Sequence, residues 1–224
     1  MRKSASEWFS TISTAVLVVC ALAVTGLVVR RELQTPDSGL ETSFYPRWKE
    51  LIERGNRLGK PSAPVQVVLF SDYQCPYCRS ITPTIEQLLA KYPETVAVTY
   101  RHFLLEDIHP QARPAAVAAE CGAEQGRFAA MHRVLFDSAA QLGKVPWAGL
   151  AAVAGVPDRA AFIDCTKNPR HADAIARDLS AVLDVGINAV PALVVNGVVI
   201  TGAKPFDVVD RLVQDALAEA KRKR

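Results

Sequence analysis

The chain has 224 residues, half of them hydrophobic, with 26 basic against 23 acidic side chains. That is long and apolar enough to close a real core, and it excludes a disordered chain. Arg2, Lys3, Arg30 and Arg31, set against Glu7, account for the whole net charge of +3, so the remainder balances and lacks the clustered cations of a nucleic-acid surface.

From Trp8 to Val29 there is no charged residue. As a helix this segment would measure about 33 Å, enough to cross a bilayer core. A cleaved signal peptide is the competitor, with Arg2 and Lys3 as its basic start and Ala21-Leu22-Ala23 resembling a cleavage site. The apolar run continues past that site to Val29, which favours an uncleaved anchor over residues 8–29, within an N-terminal unit 1–31. Basic residues flank both ends, so orientation is not set by charge. Residues 32–62 read as a polar linker around Pro36-Asp37-Ser38-Gly39 and a short amphipathic helix over Tyr45–Leu58, anchored in the core by Trp48.

The principal domain is expected over 63–220. Val65–Phe70 is an almost unbroken apolar, β-branched run and predicts a strand buried on both faces. Cys75-Pro76-Tyr77-Cys78 follows, then a helical period through Ile81, Ile85, Leu88 and Leu89, then an alternating strand over Val96–Phe103. This is a βαβ crossover with a parallel pair. Residues 104–186 form an Ala-rich, all-helical insertion, with helices over Ala115–Glu124, Phe128–Phe136, Trp147–Ala154, Asp158–Thr166 and His171–Leu183, stopped by Gly186. Two strands, Ala192–Val195 and Val198–Thr201, flank Asn196-Gly197, a hairpin signal. A last amphipathic helix starts near Pro205, with Phe206 as a core anchor, and 221–224 is a basic tail. The fold class is α/β, in the order βαβ, helical insertion, ββα.

An export segment places the body of the chain in an oxidising space, where Cys75, Cys78, Cys121 and Cys165 point to two disulfides. Cys-x-x-Cys as half of a zinc site needs two more ligands, and Cys121 and Cys165 are isolated, so no metal is expected. A purely structural bridge in so tight a loop would gain little chain entropy. A redox pair fits the position. Cys75 falls where a buried strand ends and a helix begins, so unpaired helix N–H groups favour its thiolate, and Cys78 lies one turn deeper on the same face. Pro76 is tolerated in the first turn. Cys75 is thus expected to be the exposed, low-pKa nucleophile and Cys78 the resolving thiol. Tyr77 either lines a substrate groove or is an exposed turn residue. The four histidines, 102, 109, 132 and 171, read as ordinary surface or capping residues, and Asp72 as the cap of the cysteine turn.

F-S-D-Y-Q-C-P-Y-C, followed much later by A-V-P-A-L-V-V-N-G, resembles the DsbA-type branch of the thioredoxin fold, and A-A-E-C-G-A-E-Q-G-R-F-A-A-M-H-R-V-L-F in the insertion is similar to the same family. The resemblance covers most of residues 43–220. It implies a thioredoxin-like fold, catalytic Cys75 and Cys78, and a cis Val190–Pro191 bond facing them, with Pro76, Tyr77, Val190 and Pro191 forming the substrate surface. Cys121 and Cys165 read most simply as a structural disulfide between two insert helices, with unpaired thiols or a second electron-relay pair as alternatives. Two departures stand out. Leu69 occupies the position where relatives often carry a buried acid that moves protons for the resolving thiol. Tyr77 stands where strong oxidants of the family often place His, which implies a milder oxidant.

The expected protein is therefore a membrane-anchored, extracytoplasmic thiol–disulfide oxidoreductase that forms disulfides in exported proteins. It needs no cofactor beyond the Cys75–Cys78 pair, and a membrane partner restores that pair, a quinone-linked oxidase being what the resemblance implies. A reductase or isomerase of the same fold, and a non-catalytic chaperone or binding module, are the alternatives.

Overall fold

The computed structural model describes residues 17–26 and 41–223, which fall into two units divided at Leu40. In the first, residues 17–26 form a helix, α1. The rest of the Trp8–Val29 segment and the polar stretch up to Leu40 lie outside the described residues. Among the described residues no helix is long and apolar enough to cross a membrane.

The second unit is built on one sheet. Its strands are β1 (Ser43–Phe44), β2 (Asn56–Gly59), β3 (Val65–Ser71), β4 (Val96–His102), β5 (Ala192–Val195) and β6 (Val198–Thr201), in the order β1-β6-β5-β3-β4-β2. Only β3 and β4 run parallel; the other pairings are antiparallel. The crossover between them is α3 (Pro76–Lys91). Every residue of β3 and β4 is buried, which is why β3 reads as a continuous apolar run, whereas β4, expected to alternate, buries Thr99, Arg101 and His102 as well.

Two strands were not legible. The expected Tyr45–Leu58 helix is only α2, Trp48–Ile52, and Asn56–Gly59 turns back as β2 along the open edge of β4. Gly55 makes the reversal, with φ +99°, and a Cβ there would sit 2.7 Å from the Tyr100 carbonyl oxygen. Ser43–Phe44 and Asn56–Gly59 thus belong to the sheet, on either side of the short helix.

The helical insertion is α4 (Ala112–Glu124), α5 (Phe128–Asp137), α6 (Trp147–Val153), α7 (Arg159–Lys167) and α8 (Ala172–Val185), with single 3₁₀ turns at Ala139–Gln141 and Pro169–His171. Cys121 on α4 and Cys165 on α7 are joined by a disulfide with Cα atoms 5.8 Å apart, closing a separation of 44 residues. On chain-entropy grounds such a loop contributes about 4 kcal/mol. Back on the sheet, α8 packs over Val68, Phe70 and Val194 through Ala181 and Val182. It is pinned to β4 by a buried Arg101–Asp178 ion pair. The second carboxylate oxygen of Asp178 accepts the His102 N–H at 2.8 Å.

The hairpin turn is as expected: Asn196 and Gly197 both have positive φ, 44° and 101°. The Asn196 side chain also accepts the Gln66 N–H at 2.8 Å, holding the turn against β3. The final helix, α9 (Phe206–Arg222), packs on α3. Lys221 and Arg222 form its last turn instead of a free tail, where cations complement the negative helix end. Trp48 and Phe206 are half-buried at the core's margin rather than anchors within it.

Candidate active site

The site forms where β3 hands the chain to α3. Asp72 shapes the turn: its Oδ1 accepts the Gln74 N–H at 2.7 Å, and its carbonyl accepts the Cys75 N–H at 3.2 Å. Cys75 is the extended N-cap of α3, Pro76 opens the helix, and the Cys75 carbonyl accepts the Arg79 N–H at 3.0 Å. Cys78, one turn on, faces inward and is fully buried, and its Sγ accepts the Asp72 N–H at 3.4 Å. Both thiols are free.

The two sulfurs are driven apart electrostatically. Cys75 is lowered to about 6, chiefly because the Cys78 thiol donates to it; the N–H groups of Cys78 and Tyr77 and the charge of His109 add to this, against the opposing effect of burial. Burial, followed by the Cys75 sulfur, pushes Cys78 far above its ordinary value. One proton therefore stays on Cys78 and is shared toward a Cys75 thiolate.

Cys75 is not the exposed sulfur expected. The residue is only 4% accessible, because the turn folds it against Cys78, whereas Tyr77 projects outward with 68% of its surface exposed. Beside them, a groove of ≈ 580 Å³ runs past Gln74, Pro76 and Arg79 to Leu142 and Lys144. Val190 and Pro191 precede β5, joined by a cis peptide bond, and both are buried.

His102 and His132 are buried, and His109 and His171 are half-buried. His109, in the loop leading to α4, binds Asp72 Oδ2 through Nδ1 at 2.9 Å, and the same oxygen accepts the Leu105 N–H at 2.9 Å. A bond from the Gln111 N–H to Gln74 Oε1 ties the same loop to the cysteine turn. Tyr77 leaves no basic side chain between the cysteines, and His109 approaches the cysteine turn from a distant part of the chain instead. No local motif marks His109; the loop and turn meet only through the fold.

His132 is buried beneath the site, where its Nδ1 lies 3.0 Å from the Tyr73 hydroxyl. Burial drives His132 down to about 3 and Tyr73 well above its usual value. The phenol therefore donates and the neutral imidazole accepts. His102, also buried, contacts Glu120 Oε1 through Nε2 at 2.9 Å.

Among the described residues, Cys121, Cys165 and His171 are the one trio close enough to share a metal, and the two sulfurs are already bonded to each other.

A thiolate at a helix N-terminus, backed by a buried partner thiol on a mixed sheet, defines a thiol–disulfide oxidoreductase of thioredoxin architecture. Residues 52–215 match the family model described as thioredoxin, and the chain belongs to that family. It is similar to a periplasmic thioredoxin-like protein of Salmonella enterica serovar Typhimurium, at 26% identity and TM-score 0.59 over 72% of this chain and 89% of that one. For a thioredoxin-like oxidoreductase of Silicibacter pomeroyi the values are 25%, 0.64, 78% and 97%. DsbA1 of Wolbachia pipientis shares the fold at 21% identity and TM-score 0.65, over 75% and 92% of the two chains. Among curated proteins, the Na(+)/H(+) antiporter NhaA 3 of Salinispora tropica is 33% identical over 169 residues, 75% of this chain. The chain spans about a quarter of the length of that relative, 26%.

Proposed function

We propose that this chain forms disulfides in exported proteins outside the cytoplasm. In the oxidised state Cys75 and Cys78 are bonded. A substrate thiolate attacks the Cys75 sulfur and expels Cys78, which takes up a proton. A second substrate thiolate then attacks the substrate sulfur of that mixed disulfide and expels Cys75 as a stable thiolate. The substrate loses two electrons and the enzyme pair gains them; a membrane partner removes them again. Substrate would lie across Pro76, Tyr77, Val190 and Pro191. Residues 8–29 would hold the domain at the membrane.

The observation that carries this reading is the opposed pair of thiols. A sulfur held at about 6 is a good leaving group, so the reduced enzyme is the favoured product and electrons flow from substrate to Cys75. The Cys121–Cys165 bond is in keeping with an oxidising compartment. The test is oxidation of a reduced, unfolded dithiol protein by stoichiometric oxidised enzyme, with equilibration against glutathione buffers. Disulfide formation in the client and a potential above that of the glutathione pool support the proposal; a strongly reducing potential assigns the reverse direction.

A further inference from the structure

The chain neighbours of Cys75, Gln74 and Pro76, line the ≈ 580 Å³ groove beside the redox turn. A client cysteine bonded to Cys75 must carry its own chain out along the protein surface, and the groove opens at that point. Its volume falls in the range of about 300–1,000 Å³ that holds small ligands, so it has room for a short peptide segment. Neither Val190 nor Pro191 lines it; the groove lies between the redox turn and the insertion, which supplies Pro110, Gln111 and the 139–144 stretch.

Its walls combine apolar surface with charge of one sign. Pro76, Pro110 and Leu142 are apolar, while exposed cations stand on both sides, Arg79 from α3 and Lys144 from the insertion. Among the described residues no carboxylate lines this groove, and neither cation has an ion-pair partner. Lys144 Nζ donates to the Ala140 carbonyl at 3.2 Å, which keeps the ammonium on the groove wall. The adjoining groove, which Arg79 also borders, is different: Glu86 and Asp137 line it, and Arg133 there is paired with Glu86 at 3.0 Å. His109, next to Pro110 in the chain, is turned away to Asp72. Apolar walls between two uncompensated cations complement a segment that brings a carboxylate.

We propose that this groove seats the client chain next to its reactive cysteine, and that Arg79 and Lys144 select clients with Asp or Glu there. The inference rests on the exchange chemistry proposed for Cys75, to which the groove adds the choice of client.

The test uses the oxidised full chain and reduced dithiol peptides that carry Glu, Gln or Lys at each position flanking the reactive cysteine in turn. Each oxidation rate is divided by the same peptide's rate with hydroxyethyl disulfide, an uncharged oxidant, which removes the effect of the neighbouring charge on the thiol itself. At the favoured position and low salt, the Glu peptide should react about fivefold faster than the Gln peptide, and the Lys peptide slowest. The preference should shrink as ionic strength approaches about 0.3 M. Arg79→Gln combined with Lys144→Gln should bring the ratio near one. Arg79→Glu combined with Lys144→Glu should reverse it in favour of Lys, a result that a misfolded chain cannot give. Equal corrected rates for the three peptides at every position, or a Glu preference that survives both double variants, overturns client selection and leaves exchange at Cys75 standing. A wild-type chain that oxidises none of the peptides overturns the exchange reading itself, and the selection with it.

Discussion

His109 Nδ1 lies 2.9 Å from Asp72 Oδ2, and through Asp72 the imidazole is tied to both redox cysteines: the Asp72 carbonyl accepts the Cys75 backbone N–H, and the Asp72 N–H donates to the Cys78 sulfur. The charge of His109 helps hold Cys75 near 6. Replacing it with Gln keeps a hydrogen-bonding side chain and removes the charge. The Cys75 alkylation midpoint should rise by roughly half to one pH unit, and the pair should become more reducing. Iodoacetamide rates against pH, with glutathione equilibration, check both.

The low Cys75 value also makes reduced-state stability depend on pH. The group is depressed from its ordinary value of 9.0 to about 6 on folding. Its contribution is therefore fully present above the unfolded value and is lost as pH falls through the folded one. The melting temperature of the reduced protein should rise relative to Cys75→Ser as pH climbs from about 6 toward 9. Calorimetry of both proteins across that range is the check.

His132 titrates with the same sign in a lower window. Burial takes it from 6.5 to about 3, so folding favours the neutral ring. Stability tied to that ring is present above pH 6.5 and is lost as pH falls toward 3, because the unfolded chain binds the proton more readily. His132→Gln should show a shallower loss of melting temperature over that interval, from a lower starting point at pH 7.

Cys78→Ala should accumulate mixed disulfides between Cys75 and client proteins, while Cys75→Ser should accumulate none and reduce exchange to background. Non-reducing electrophoresis, followed by identification of the trapped chains, reads both. Replacing Cys121 and Cys165 with Ala should instead lower unfolding stability by about 4 kcal/mol in urea titration and leave the Cys75 potential in place.

Local chemistry made much of this fold legible. Val65–Phe70 announced a central strand because both its faces are covered, and Asn196-Gly197 announced its hairpin because few residues accept two successive positive φ angles. Cys75 and Cys78 were legible because strand, thiol and helix are contiguous in sequence. What failed depends on distant partners. Asn56–Gly59 has no strand pattern of its own and becomes one only along the edge of β4. His109 carries no sequence signal toward the cysteines, since it reaches the site through Asp72. The burial of Cys75 was missed for the same reason, as a helix start predicts a charge but not what packs over it.

The Cys121–Cys165 bridge sits at the centre of the insertion with both residues wholly sealed from solvent. Once that region has closed, no oxidant can reach the sulfurs, so the bond must be made while the newborn chain is still open. On the proposed function, each new molecule begins as a client: its own maturation needs the very service it will later render, and the first copies in a cell depend on ones inherited from the parent or on another catalyst.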